Sequence, residues 1–563
     1  MQILFNNANG SVNFTKILFF HLIILNFSLS FRIPNTFKRD SSFLTHHSLN
    51  PRLNDKFSVN LFSDPGVSSG NKYLITTPLF YLNGPPHLGH AYTLVSSDVL
   101  KRFLILSGHD CKLLAGTDEH GSKIKTTAAN FGYSPKEYVI SMRNQFFKLY
   151  KAYDITPEIV VHTSENEHKS KVKRVFDNFL ESGHIYRGLH RGYFSPKEDL
   201  YYTESKLING KSPLGFDVTL VDEPAYFFKL DIWKRKLVEF FKDSEVILPQ
   251  HSLNEVRKLL QSEINDIAIT RSNCDWGIPI TNSGNETVYV WFDALLGYLT
   301  HLHSFPPLEQ SNSNLNGLKI IHVIGKDILT FHTILWPAIL MALKLDIKLR
   351  FLVHGWLLNK GEKISKSLNN SISPLNTSVP SDVSRFALMN LGDFSYDFEF
   401  DPSMFDNALK TLRNKFANTF YRVTSILQMN KVDTVQPCDC DHKLLEKFNK
   451  YSEEIRNSVQ SFRLDRYIQI LVEMSSEVNK FIELTQFWTM SSQSELLNTS
   501  WICCTLLLYI SIYLAPITPK LANDMILRLG PQLSGAPVKT ISFNLLDDIQ
   551  HISYNPKHLN PLI

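Results

Sequence analysis

The sequence predicts an α/β protein built on a parallel sheet and followed by a helical region. Two observations predict it. Short apolar runs each end in a polar, glycine-bearing turn, and from Leu409 onward apolar residues recur at three- and four-residue spacing. The 563 residues exceed a single core, which stops growing near roughly 250–300 residues, so several domains are expected. A composition of 43% hydrophobic and 20% charged residues excludes a disordered tail, a collagen-like fibre and a small disulfide scaffold. With 58 Lys and Arg against 54 acids, the net charge is only +4, so a polyanion must be held by local patches.

The first 68 residues read as a leader outside the fold. Lys16 precedes ILFFHLIILNFSLSF, an apolar stretch of signal-peptide length, too short for the roughly 20 residues of a spanning helix. Behind it, residues 32–62 carry Arg32, Lys38, Arg39, Arg52 and Lys56 against only Asp40 and Asp55. A signal followed by a transit-like stretch resembles the bipartite leader of proteins sent to plastids of secondary origin, apicoplast-like in type. A mitochondrial presequence is the alternative. No stable membrane association of the mature form is expected. The six cysteines are too few for a disulfide framework; Cys438 and Cys440 read as solvated loop thiols and Cys111 as a buried structural residue.

The elements then follow in order. Lys72–Thr77 reads as a strand ending at Pro78, and a turn with Asn83, Gly84, Pro85 and Pro86 leads to His87-Leu-Gly-His90 and a helix. Leu94, Val95, Val99, Leu100 and Phe103 give that helix an apolar face to lay on a sheet. Strands at Cys111–Ala115, Lys319–Ile324 and Phe351–Val353 run into Gly116-Thr-Asp-Glu-His-Gly121, Gly325-Lys326-Asp327 and His354-Gly355. Ligands of such sheets gather at the carboxyl ends of the strands. For a triphosphate ligand, Gly89 and the helix N-terminus allow close backbone approach, and His87 and His90 can donate hydrogen bonds. Lys363-Ile-Ser-Lys366-Ser367 adds two ammonium groups that can meet charge on a leaving pyrophosphate.

His87-Leu-Gly-His90 and Lys363-Ile-Ser-Lys-Ser367 resemble the two signatures of class I aminoacyl-tRNA synthetases. The blocks around them resemble the methionyl-tRNA synthetase family in particular: Thr77-Pro-Leu-Phe-Tyr81, Gly116–Gly121, Asp275-Trp-Gly-Ile-Pro279, Val290-Trp-Phe-Asp-Ala294, Gly325-Lys-Asp-Ile328 with Phe331-His332, and His354-Gly-Trp356. The resemblance covers nearly everything after residue 71. It implies a Rossmann-type catalytic domain, 69–120 and 272–345, split by a connective insertion, 121–271. A signature-loop and stem-contact region, 346–400, and an α-helical bundle that binds the anticodon, 401–563, would follow.

The resemblance also assigns roles. His87, His90, Lys363 and Lys366 would be catalytic. Gly89, Gly325, Lys326, Asp327, His354, Ser365 and Lys366 would bind ATP, with magnesium on its phosphates. Pro78, Leu79, Tyr81, Asp118, Trp291, Ala294, Tyr298, Ile328, Phe331 and His332 would hold methionine, whose thioether suits an apolar and aromatic lining. Asn414, Asn418, Arg422 and Trp488 would read the CAU anticodon of tRNA(Met) as amide, guanidinium and aromatic groups read unstacked bases. Phe487 departs from the proline common in relatives.

Zinc-bearing relatives place cysteines in the insertion. Here Ser195 and Glu198 stand at two such positions and residues 121–271 contain no cysteine, so no bound zinc and no metal site are expected. The short remainder after Leu514-Ala-Pro-Ile-Thr-Pro519 suggests no appended domain and a monomer. The alternatives are a synthetase for another small apolar amino acid or cysteine, and a non-catalytic tRNA-binding paralogue.

Overall fold

Six short runs rich in Ile, Val and Leu pair into one parallel sheet, whose strands are numbered here in chain order. They are β1 (Lys72–Tyr81), β2 (Asp110–Asp118), β3 (Ile159–His162), β4 (Ile247–Leu248), β5 (Leu318–Gly325) and β6 (Lys348–His354), in the spatial order β3-β2-β1-β5-β6-β4. The computed structural model describes residues 71–196, 200–202, 204–272, 274–280, 286–302, 317–364, 370–375, 379–438, 443–533, 536–537 and 551–553. The leader therefore lies outside the described residues, as do Glu198, Ser365, Lys366 and Cys440.

The chain order reverses between β1 and β5, the crevice where sheets of this kind hold ligands. Both strands are buried on both faces, as a covered parallel sheet requires: Leu74, Ile75, Ile320 and Ile324 are almost wholly inaccessible. Two expectations needed correction. The first strand does not stop at Pro78 but runs to Tyr81, with a register shift against β2 between Thr76 and Leu79 that accommodates a residue lacking an N–H. In addition, β3 and β4 come from residues 121–271 yet join the main sheet; strands of four and two residues leave too little periodicity to read.

Helix α1 (Leu88–Leu106) follows β1, and the further helices named here are α2 (Asn166–Glu181), α3 (Val290–Gly297), α4 (Ser381–Met389), α5 (Asn418–Met429), α6 (Leu464–Thr485) and α7 (Gln493–Leu514). The insertion's own sheet has four strands, with an antiparallel ribbon of Ile185–Ser195 and Thr219–Phe228 at its centre. In the C-terminal region the expected stripe of Leu412, Phe416, Phe420, Val423 and Leu427 is buried, while Asn414 and Asn418 are exposed. Helix α7 is apolar all round because Thr499 to Leu514 are buried at the bundle centre. Its length and composition would suit a membrane span, but its burial marks it as a core helix. A small sheet of two- and three-residue strands completes the region and was illegible in the sequence. Burial pushes the thiols of Cys111 and Cys504 up to about 12, which leaves them inert. Cys438 is disulfide-bonded, contrary to the free thiol expected.

One buried ion pair fastens α1 to the C-terminal bundle. Arg385 of α4 lies 2.8 Å from Asp98 of α1, both fully buried. The same guanidinium donates to the carbonyls of Tyr153, Pro516 and Ile517 at 3.1, 2.8 and 2.8 Å, so it also joins the end of helix Pro135–Ala152 and the chain just beyond α7. Burial alone would raise the Asp98 carboxyl, but Arg385, Arg102 and Lys101 around it hold it below the usual carboxylate range. Removing one member strands the other without water. Arg385→Ala should therefore cost about 3–5 kcal/mol of unfolding free energy in urea. Lys125→Ala, which breaks the exposed pair with Asp275, should cost under about 1 kcal/mol. Equal losses in the two variants would contradict the assignment.

Candidate active site

The turn from β1 into α1 sets the first half of the site. His87 caps α1, and its backbone N–H donates to Nδ1 of His90 at 2.9 Å, so the two imidazoles stack with centroids 3.7 Å apart. His90 is held edge-on by Phe80 and Phe146. The Thr93 hydroxyl lies 2.8 Å from Nε2 of His354 at the end of β6. Nδ1 of His354 is 2.7 Å from the Gly355 carbonyl, which only accepts, so Nδ1 carries a proton, and the Thr93 hydroxyl lies within reach of both Nε2 and the Gly89 carbonyl. Gly355 itself admits no side chain, because a Cβ would stand 2.1 Å from the Tyr396 carbonyl oxygen.

Lys363 is linked to the same turn. The Leu88 N–H, in the first turn of α1, donates to the Ile372 carbonyl, and the Asn370 amide donates to the Lys363 carbonyl at 3.0 Å. Lys363 pairs with Asp327 at 2.8 Å and Lys326 with Asp397 at 2.7 Å. Both ammonium groups lie over the indole of Trp356, 4.8 and 4.1 Å from its centroid, and the indole N–H donates to Asp327. Burial works to raise the Asp327 carboxyl; the Lys363 charge overcomes it and keeps the group ionised. Trp356 and Asp397 thus hold both lysines, roles the sequence did not reveal; the His354-Gly-Trp356 block was the available signal.

The residues expected to hold an amino acid converge at the ends of β1, β2 and β5. Trp291 and Phe331 stack face to face, 4.1 Å apart and 6° from parallel, with His332 edge-on to Trp291. Phe331 and His332 sit in a π-helical turn, Phe331–Leu335, of the kind that recurs at functional sites. His332 Nδ1 donates to the Ile328 carbonyl at 3.0 Å, so its Nε2 accepts from the Tyr298 hydroxyl at 2.8 Å. Burial depresses His332 to about 4, and burial with the Asp118 charge pushes the Tyr298 phenol up. The lining is thus uncharged but for Asp118. Pro78, Tyr81 and Ile328 are half-buried and Ala294 is buried. Leu79 differs: its side chain packs into the core, in a notch that a Cβ on Gly297 would fill at 2.4 Å.

Behind the pocket the sheet is tied by a second neutral histidine. The indole of Trp336 can only donate, so Nε2 of His322 accepts it and Nδ1 donates to Thr76, the residue opposite it across the β1–β5 pairing. Asp293 of α3, wholly buried, takes His120 at 2.6 Å and His168 of α2 at 2.5 Å. It fixes the helix bearing Trp291 and Ala294 to the turn after Asp118. Burial opposes the Asp293 charge, and the two imidazoles hold it below its usual value. Among the described residues, no three His, Cys, Asp or Glu side chains gather to hold a metal.

The other predicted cluster lies on the C-terminal bundle. Arg422 pairs with Glu483 of α6, and its guanidinium lies 5.5 Å from the Trp488 ring centroid. Gln486 ends α6 in a left-handed turn, φ 47°, which sends Phe487 into the core and leaves Trp488 exposed. Asn414 and Asn418 are exposed on the preceding turns of the same rod.

Comparison with known proteins points one way. Residues 73–218 and 205–424 match the family described as tRNA synthetases class I (M), and 441–545 match the anticodon-binding domain of tRNA ligase. A methionine–tRNA ligase of Rickettsia conorii is 34% identical over 474 residues, covering 82% of this chain and 93% of the relative. One from Listeria monocytogenes is 32% identical over 487 residues, covering 82% and 73%. The crystal structure of Mycobacterium tuberculosis methionyl-tRNA synthetase bound by methionyl-adenylate superposes with TM-score 0.78 at 26% identity, covering 86% of this chain and 99% of that one.

The depressed histidine has a consequence for stability. The unfolded chain protonates this imidazole near 6.5, the folded one only near 4, so the stability it carries is complete above pH 6.5 and lost as pH falls toward 4. For His332 this amounts to about 3 kcal/mol. The urea midpoint should fall over that window, and His332→Gln should flatten the fall; an unchanged slope would contradict it.

Proposed function

The chain belongs to the class I methionyl-tRNA synthetase family, the methionine–tRNA ligases, and from that premise we propose which of its residues carry each step and where it works. The enzyme activates methionine with ATP and transfers it to tRNA. In the first step a methionine carboxylate oxygen bonds to the α-phosphorus of ATP, and the bond to pyrophosphate breaks. The observation that supports the assignment is the link from Lys363, through Asn370 and Ile372, to the N-terminal turn of α1 that presents His87 and His90. His87 and His90 donate to the phosphates, and Lys363 and Lys366 neutralise charge as pyrophosphate leaves. Lys363 must then exchange its partner Asp327 for phosphate.

Gly89, Gly325, Lys326, Asp327, His354 and Ser365 hold the nucleotide. Magnesium would be carried on the triphosphate, where it would supply charge neutralisation. Methionine lies against Trp291, Phe331, Tyr298 and His332, with Ala294, Ile328, Pro78 and Tyr81 around it and Asp118 facing its ammonium. A neutral His332 suits a thioether, because a charged ring there would need a counter-ion. Asn414, Asn418, Arg422 and Trp488 read the CAU anticodon of tRNA(Met).

The same reading covers what lies outside the described residues. The leader, 1–68, directs the chain to a plastid of secondary origin, with the mitochondrion as the alternative; a fluorescent protein fused behind it, found in the cytosol, would defeat both. The mature enzyme is a zinc-free monomer.

Pyrophosphate exchange with ATP, magnesium and methionine, leucine, isoleucine, valine or cysteine in parallel tests the activity. Methionine alone should support exchange. Lys366→Ala should cut its rate by about 100-fold or more while changing methionine affinity little. Exchange with another amino acid would overturn the pocket, and equal losses of rate and affinity would overturn the role of Lys366.

A further inference from the structure

The hairpin that leads into Lys363 turns through a strained pair of residues. Strands Leu357–Asn359 and Glu362–Lys363 pair Leu358 with Lys363 and Asn359 with Glu362, so only Lys360 and Gly361 form the turn between them. Both are left-handed, with φ 55° at Lys360 and 77° at Gly361. This is the two-residue turn whose twist matches that of paired strands, and its first position favours Asn or Gly over a long side chain such as Lys. A turn of the opposite hand would relieve Lys360 but splay the strands.

Glu399 opposes that relaxation. One oxygen of its carboxylate accepts from the Lys360 N–H and the other from the Gly361 N–H, the latter at 3.0 Å. Two successive N–H groups thus converge on one anion, a cradle that turns can form. The backbone of Glu399 is itself fixed. Phe398–Glu399 pairs in parallel with Leu357 and Leu358, and the Phe400 N–H donates to the Leu358 carbonyl at 2.7 Å. Upstream, the Gly355 N–H donates to the Phe394 carbonyl at 3.1 Å, Phe394 packs edge-on against Phe462 with centroids 4.3 Å apart, and Asp393 pairs with Arg463 at 3.3 Å. Asp397, two residues before Glu399, holds Lys326 and the main-chain N–H of Trp356.

The far end of the hairpin is anchored too. Ile364 is buried in the core, and its N–H donates to the Leu357 carbonyl at 2.8 Å. With both ends fixed, the twist of the hairpin decides where Lys363 stands against Asp327 and the Trp356 ring.

We propose that Glu399 is a positioning residue for methionine activation. By keeping Lys360 left-handed it sets the twist of the hairpin, and so the place from which Lys363 reaches the phosphates. The inference rests on the ligase reading, in which that lysine neutralises charge as pyrophosphate leaves. Glu399 itself touches no substrate.

Methionine-dependent pyrophosphate exchange on the full chain, with ATP and methionine each varied, tests the role. Glu399→Ala should lower the exchange rate at saturating substrates about ten-fold while the KM for methionine stays within about two-fold. Glu399→Gln, which keeps one acceptor oxygen for the two N–H groups but no charge, should lose about three-fold. Lys360→Asn puts a favoured residue at the strained position: alone it should leave the rate within about two-fold, and added to Glu399→Ala it should restore the rate to within about three-fold of the unmodified enzyme. An unchanged rate in Glu399→Ala, a KM for methionine that rises as far as the rate falls, or no recovery in the double variant would overturn the proposal. Absence of methionine-dependent exchange in the unmodified enzyme would instead refute the ligase reading itself.

Discussion

The site depends on one pairing, that of β1 with β5, two strands about 240 residues apart in the chain that lie side by side in parallel register. His87, His90, Gly325, Lys326 and Asp327 all hang from their carboxyl ends or from the turns that follow. A parallel sheet buried on both faces cannot slip register without moving its apolar residues out of place, so the spacing between the α1 N-terminus and the Gly325 turn is fixed by the core. Thr76 and His322 reinforce it with a buried side-chain bond across the same pair. The Trp336 indole that donates to the other ring nitrogen requires a neutral imidazole, and burial holds His322 far below its ordinary value.

From this pairing the constraints pass outward through polar contacts that cannot be lost cheaply, because their members are buried. Asp293 locks α3 to the turn after Asp118 and to α2, and so sets where Trp291 stands relative to Phe331. Arg385 and Asp98 join the catalytic helix to the end of the bundle's core helix. The bundle that carries Arg422 and Trp488 is thus rigidly referred to the helix that carries His87 and His90.

Much of this was legible in the sequence, for identifiable reasons. Apolar runs ending in His87-Leu-Gly-His90, Gly116–Gly121 and Gly325-Lys-Asp327 announced strand ends with ligand chemistry, and the stripe from Leu412 to Leu427 announced a bundle helix. The structure bears out that parallel-sheet and helical division, and the matches bear out the family resemblance. What escaped was of two kinds. Strands of two to four residues, such as Ile159–His162 and Ile247–Leu248, are too short to show a period. Residues that act by holding others, namely Trp356, Asp397, Asp293, His168 and Arg385, carry no local pattern, because their partners lie far away in the chain. Leu79 shows the converse error: its place in a motif suggested a pocket wall, but the notch at Gly297 draws its side chain into the core.

The central claim is that the ends of β1 and β5 form one site for methionine and adenosine joined through phosphate. Calorimetric titration with a non-hydrolysable methionyl-adenylate analogue tests it most directly. If a single site spans both subsites, the analogue should bind about 100-fold or more tighter than methionine, at one per chain, with a negative heat-capacity change from buried apolar surface. Binding no tighter than methionine alone would show that the two subsites are not parts of one site, and would contradict the account.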